Sequence, residues 1–238
     1  MDFQQKNILV IGGSSGIGLS LVKILHGQNA NVYVVSRSAS EEWPANVQYL
    51  QADVTGNLDA LDDFLPLQLH GLVYSVGSIN LKPFSRLTEN DFSNDYRINV
   101  LGAALSIQRS AKQLKNAGGA SVVLISSVAA KTGMPYHAST ATAKAAVEGL
   151  GLSLAAEFAA QQIRVNVVAP SLTDTPLAQN LLGSPEKREA AAKRHPLGKI
   201  GQPEDISKLI AFLLSEESSW ITGQVIGVNG VLGKLKTS

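Results

Sequence analysis

Val10-Ile11-Gly12-Gly13-Ser14-Ser15-Gly16-Ile17-Gly18 decides the reading of this chain. It follows the apolar run Asn7 to Ile11, which reads as a buried strand. It leads into Leu19, Leu21, Val22 and Leu25, spaced as in a helix resting on a sheet. Glycines 12, 16 and 18 in a strand-to-helix turn let the backbone approach a phosphate closely. The free N–H groups of the helix start and its positive dipole end then face the anion. The spacing Gly-x3-Gly-x-Gly differs from the commoner Gly-x-Gly-x2-Gly. The strand–turn–helix setting, more than the glycines alone, points to a nucleotide site. Gly12, Ser14, Ser15, Gly16, Ile17 and Gly18 are its candidate residues.

Outward from this turn, apolar β-rich runs alternate with helical segments, the pattern of a parallel sheet covered on both faces. Strands are expected near 7–11, 32–35, 47–51, 70–75, 121–126, 163–168 and 224–228. Helices are expected near 16–27, 57–65, 88–115, 139–160, 185–195 and 203–215. Thr88 ahead of Glu89 and Asp91, and Ser184 ahead of Pro185, mark helix starts. The chain has 238 residues, 45% of them hydrophobic, enough for one domain with a full core. No linker, charge block or repeat divides it, so one doubly wound α/β domain over 1–238 is expected. Helix 139–160 is crowded with small residues, from Ala141, Ala143, Ala145 and Ala146 to Ala159 and Ala160. One face suits the domain's own sheet, and a second suits another subunit.

Composition narrows the function. Net charge is +1, from 20 basic and 19 acidic residues that are evenly mixed, so nucleic acid is not an expected partner. There is no cysteine, which removes disulfides and thiolate chemistry. The four histidines (His26, His70, His137, His195) are far apart, so no metal is expected. The start, Met1 to Lys6, runs straight into the first strand, and no signal peptide or membrane span is read there or elsewhere. A cytoplasmic protein is the expectation.

Several separated segments together resemble the short-chain dehydrogenase/reductase family, from Asn7 to about Gly230. They are Gly12-x3-Gly16-Ile17-Gly18, Ala52-Asp53-Val54, Asn99-Val100-x-Gly102, Ile125-Ser126-Ser127, Lys144-Ala145-Ala146, Arg164-Val165-Asn166, Pro170 through Thr175, and Ile221-Thr222-Gly223. The resemblance implies a single Rossmann-type domain with a parallel sheet of about seven strands, usually in homodimers or homotetramers. It also implies an NAD(P) site beside a carbonyl/alcohol redox centre, with 175–200 as a lid over a small-molecule substrate. It gives Asp53 the adenine amine and sets Val54 nearby. Val76 and Gly77 stand where the family carries Asn-Asn-Ala-Gly, of which Tyr74-Ser75-Val76-Gly77 keeps only the glycine. Pro170, Ser171, Thr173 and Thr175 match the segment that closes over the nicotinamide. NAD-preferring members put a carboxylate at the end of the second strand. Here Ser36 stands there, and Arg37 offers a planar cation suited to a 2′-phosphate, so NADP is expected over NAD.

In this family the redox centre is built from Asn, Ser, Tyr and Lys, and the resemblance carries three of them onto Asn99, Ser127 and Lys144. Ser would orient the substrate oxygen, Lys would hold the nicotinamide ribose, and Asn would anchor a water of the proton relay. Tyr and Lys sit four apart because one helical turn, about 6 Å of rise, places both on one face. Four before Lys144 stands Thr140, not Tyr. An aliphatic hydroxyl is a far weaker acid than a phenol, whose pKa is about 10. General acid catalysis favours a donor titrating near the working pH, which Thr140 is not. His137 and Tyr136 are the neighbours that could replace the phenol. Two readings therefore stand: an NADP-dependent oxidoreductase with an atypical proton donor, or a catalytically inactive dinucleotide sensor or structural subunit.

Overall fold

The computed structural model describes residues 1–232; positions 233–238 of the expected domain lie outside the described residues. Seven parallel strands form one sheet: β1 (Asn7–Ile11), β2 (Asn31–Ser36), β3 (Gln48–Gln51), β4 (Gly71–Tyr74), β5 (Ala120–Ile125), β6 (Ile163–Pro170) and β7 (Val225–Val228). Their order is β3-β2-β1-β4-β5-β6-β7, reversing direction of growth between β1 and β4. Register places Leu9 beside Tyr33 and Leu72, and Val10 beside Val34 and Val73.

Because successive side chains leave a strand on opposite faces, each central strand feeds two cores. Leu9, Ile11, Leu72, Val122 and Val165 point into one. That layer also holds α4 (Gly102–Asn116) and α5 (Ala138–Phe158), through Ile107, Leu114 and Val147. Ile8, Val10, Val34, Val73 and Val123 point into the other, against α1 (Gly16–Gly27) and α8 (Pro203–Leu214). The near-continuous apolar reading of the strands follows from this double burial. The small residues of α5 have a partner on the inner side: a Cβ on Gly151 would stand 2.5 Å from Val167 Cγ2. Ala145, Gly149, Leu152 and Ala156 remain exposed on the other side.

The expected helix 88–115 is interrupted. α3 (Glu89–Tyr96) passes into a π-helical turn over Arg97–Leu101 before α4 begins. The cause is polar. The Tyr74 hydroxyl donates to Ile98 O at 2.5 Å, and Asn99 Nδ2 donates to Asp95 O at 2.8 Å, both competing for carbonyls of the regular ladder. Short helices α2 (Ala60–Phe64), α6 (Gln179–Leu182) and α7 (Pro185–Lys193) complete the set. The expected 57–65 helix shortens to α2 because Asn57 Oδ1 accepts from Asp59 N in a turn.

Two of the quoted segments serve the fold. Arg164 donates to the carbonyls of Leu213, Ser215 and Ile221. Asn166 donates to Ile221 O, and Val165 N donates to Thr222 Oγ1. Arg164-Val165-Asn166 and Ile221-Thr222-Gly223 thus hold each other and set the entry to β7. Among the described residues no helix is long and apolar enough to cross a membrane.

Candidate active site

A cleft of about 490 Å³ opens at the carboxyl ends of β1, β4, β5 and β6, where open α/β sheets bind ligands. Of the sequence-derived candidates it is lined by Gly12, Ser15, Gly16, Ile17, Arg37, Val76, Gly77, Ser127, Thr140, Lys144, Pro170, Ser171, Thr173 and Thr175. Ser14, Gly18, Ser36, Asp53, Val54 and Asn99 do not line it. Among the described residues no group of acidic, His or Cys side chains could hold a metal.

The glycine-rich turn is held from behind. Gly12 has φ +88°, and a Cβ there would stand 2.9 Å from the Ser75 carbonyl carbon. Gly18 acts without touching the cleft: its Cβ would lie 2.0 Å from Gly12 O, so only glycine lets α1 start this close to β1. Trp43 Nε1 donates to Gly13 O at 2.8 Å, a tie that nothing in the sequence pattern marks. The Ser15 side chain makes no capping bond, so the first N–H groups of α1 stay available to an anion.

At the far end, Arg37 is exposed on the cleft, and its guanidinium has no hydrogen bond or ion pair among the described residues. Ser36 spends its hydroxyl on Ser38 O, 2.8 Å away. Asp53 Oδ1 accepts from Thr55 N and Oγ1 at 2.9 and 2.8 Å. Those bonds, backbone first, hold its carboxyl below the usual range, with the Arg37 charge adding to them. Val54 is buried in the core rather than on the cleft.

At the near end, Ser127 Oγ accepts from Ala129 N at 3.2 Å and keeps its O–H for the cleft. Lys144 Nζ donates to Ile125 O at 2.9 Å. Burial lowers its ammonium to about 8, against the opposing pull of the Asp95 charge. A Cβ on Gly77 would stand 3.2 Å from Lys144 Nζ and 3.3 Å from Asn99 Oδ1, so both atoms converge on one spot. Asn99 Oδ1 is buried and has no hydrogen-bond partner among the described residues. Tyr74 stands at the first asparagine position of the Asn-Asn-Ala-Gly run that the resemblance expects. Its buried hydroxyl, raised in pKa by desolvation first and the Asp53 charge second, ties β4 to the π-turn through Ile98 O.

His137 lines the cleft on the α5 face that carries Thr140 and Lys144, with Nδ1 2.6 Å from Pro135 O. Tyr136 has φ +67°, is 59% exposed and lies outside the cleft lining. The sequence offered both as replacements for the phenol, and only His137 lines the cleft.

Other site neighbours escaped the sequence reading. Buried His195 bonds Ala191 O through Nδ1 and the Ser171 hydroxyl through Nε2, at 2.9 and 2.8 Å. Arg188 meets Asp174 through two bonds of 2.6 and 3.0 Å. Together they dock the 175–200 segment onto the loop after β6. Buried Asp95 receives Ser78, Ser139 and Thr140. No sequence signal marks it, because it sits in the polar run Ser93-Asn94-Asp95.

Residues of this geometry fit a dinucleotide: a cradle only glycine permits, an uncapped helix start, an unpaired arginine and an orphaned amide oxygen beside a buried lysine. Comparison with known proteins agrees. A family model described as enoyl-(acyl carrier protein) reductase matches residues 12–231. A tropinone reductase homolog of Arabidopsis thaliana is 34% identical over 94% of this chain and 78% of its own length. The structure of a short-chain type dehydrogenase/reductase from Mycobacterium ulcerans superposes with TM-score 0.88 at 31% identity, covering 97% of this chain and 90% of that one. The NADP-bound structure of ElxO superposes with TM-score 0.87 at 28% identity, covering 95% and 98%. This chain belongs to the short-chain dehydrogenase/reductase family.

Proposed function

We propose that the protein is an NADP-dependent oxidoreductase acting on a small carbonyl or alcohol, with an atypical proton donor. The observation that carries this is the convergence of Ser127 O–H and Lys144 Nζ, in one cleft, with the glycine-cradled turn and a free arginine. Gly12, Ser15, Gly16 and Ile17 would hold the pyrophosphate, Arg37 the 2′-phosphate, and Lys144 the nicotinamide ribose. When bound, the cofactor supplies or accepts the hydride. Ser127 donates its hydrogen bond to the substrate oxygen. Thr173 and Thr175 face the nicotinamide end, and the docked 175–200 segment excludes water.

The proton moves elsewhere than at position 140. Nδ1 of His137 is committed to Pro135 O, which leaves Nε2 to exchange a proton with the substrate oxygen. His137→Ala is expected to lower kcat/KM for carbonyl reduction by about 100-fold, while Tyr136→Phe stays near wild type. The reverse ranking would move the donor to Tyr136.

A panel of small carbonyls with NADPH, run beside a binding titration, tests the function itself. Turnover supports the proposal, whereas tight binding without turnover replaces it with a sensor. For the cofactor, Arg37→Ala is expected to weaken NADPH binding about tenfold or more and NADH binding little. Equal losses for both would remove the 2′-phosphate from Arg37.

A further inference from the structure

We propose that Asp95 is a positioning residue of this site: its carboxylate accepts a hydrogen bond from the Thr140 hydroxyl and supplies a counter-charge to the Lys144 ammonium. The role of Lys144 toward a nicotinamide rests on the function proposed above; the ionisation of Lys144 in the free protein does not.

Asp95 is 3% exposed, and no basic group lies within salt-bridge distance of it among the described residues. A buried carboxylate so placed must be met by hydrogen-bond donors. Oδ1 accepts from Ser78 Oγ at 2.6 Å, and Oδ2 accepts from Ser139 Oγ at 2.6 Å. Thr140 Oγ1 stands 3.2 Å from Oδ2 and 3.3 Å from Asn80 O. It has one hydrogen, and a carboxylate draws it more strongly than a neutral carbonyl. Asn80 N–H donates to the same Thr140 oxygen at 3.2 Å. What Thr140 retains toward the cleft is a lone pair.

The charge sets the polarity of a second chain. Since Ser78 gives its hydrogen to Asp95, its lone pair takes an Asn99 Nδ2 hydrogen at 2.8 Å. The other Nδ2 hydrogen goes to Asp95 O. Both amide hydrogens are spent, and the Asn99 carbonyl oxygen is turned toward the spot beside Gly77 that Lys144 Nζ also faces. One negative charge at the root thus leaves two acceptor oxygens, Thr140 Oγ1 and Asn99 Oδ1, on the side of an ammonium.

Other charges near α5 are already engaged. Glu148 is held by Ser126 and Lys131, and Asp91 by Lys82, Thr88 and Asn80. His137 sits at the helix start on Pro135 O. β5 carries no ionisable side chain, and the Arg164 guanidinium of β6 is spent on carbonyls. Asp95 is the opposing charge acting on Lys144, whose burial favours loss of the proton.

The test is a pH titration of the cofactor-free protein carrying lysine labelled with 13C at Cε, the Lys144 resonance being the one lost in Lys144→Arg. Asp95→Asn is expected to lower the Lys144 midpoint by about one pH unit. Ser139→Ala, which keeps the charge, should lower it far less. An unmoved midpoint in folded Asp95→Asn overturns the proposal. Should that variant not fold, Ser78→Ala is read instead: it frees the Asn99 amide and should lower the midpoint measurably, and an unchanged value again overturns the proposal. Thr140→Val should retain carbonyl reduction within tenfold, and a larger loss would return the proton to Thr140. Absence of dinucleotide affinity would sink the oxidoreductase reading while leaving the titration result standing.

Discussion

Thr140→Tyr is expected to raise carbonyl reduction about 100-fold. Position 140 lies one helical turn before Lys144, about 6 Å along α5, and both side chains line the same cleft. Ser127 already offers its hydrogen to a substrate oxygen there, and Lys144 already faces the spot beside Gly77. What position 140 itself lacks is an acid in the usable range, so that the proton has to come from His137 at the start of α5. A phenol titrates near 10 unperturbed and falls further beside an ammonium, whereas an aliphatic hydroxyl never enters that range. The longer side chain reaches past the Asp95 cluster into a cleft of about 490 Å³, so it need not displace the core. The measurement is kcat/KM for a small ketone with NADPH across pH, where the variant should also show a new limb from the phenol. A folded, NADPH-binding variant with no gain would show that position 140 does not face the substrate oxygen.

Gly18→Ala carries the other large effect, and it acts through backbone alone. The added Cβ would stand 2.0 Å from Gly12 O, 2.9 Å from Gly12 C and 3.1 Å from Gly13 Cα. None of these atoms can rotate aside, so α1 must withdraw from the end of β1. That costs about 3 kcal/mol in stability, the upper range for forced overpacking. Displacing the α1 start also spoils the anion cradle, and NADPH affinity should fall more than 100-fold. Gly27→Ala is the internal control, because a Cβ there meets nothing within 4 Å at the other end of the same helix. It should be neutral or stabilising by up to about 1 kcal/mol, the helix preference for alanine over glycine. Thermal unfolding and fluorescence titration with NADPH read both variants. A Gly18→Ala protein as stable as its parent would mean that the turn yields where the packing says it cannot.

How much of this was legible without coordinates varies by element. The seven strands and their helices follow from local pattern, because a strand buried on both faces is apolar throughout and its helices carry a one-sided stripe. Leu9 and Val10, adjacent in the chain, end in opposite cores, as period two requires. The break in helix 88–115 was not legible. It arises where the Tyr74 hydroxyl and the Asn99 amide take carbonyls out of the ladder, and Tyr74 is distant in sequence. Nor was Asp95: a polar run such as Ser93-Asn94-Asp95 reads as a solvated face, yet its third residue is buried against α5.

Sequence by itself determined the layered α/β architecture and the glycine-cradled turn, since both are written in residue type and short-range spacing. Ser127, Lys144 and the lack of a phenol at 140 came only through the resemblance of their segments to the family. Tertiary structure decided which of two adjacent side chains, Tyr136 or His137, enters the cleft. It also showed that Asp53 and Val54 stand off the cleft and that a buried carboxylate lies beneath Thr140. Those outcomes depend on backbone turns and on hydrogen bonds between segments tens of residues apart, where no periodicity carries the information.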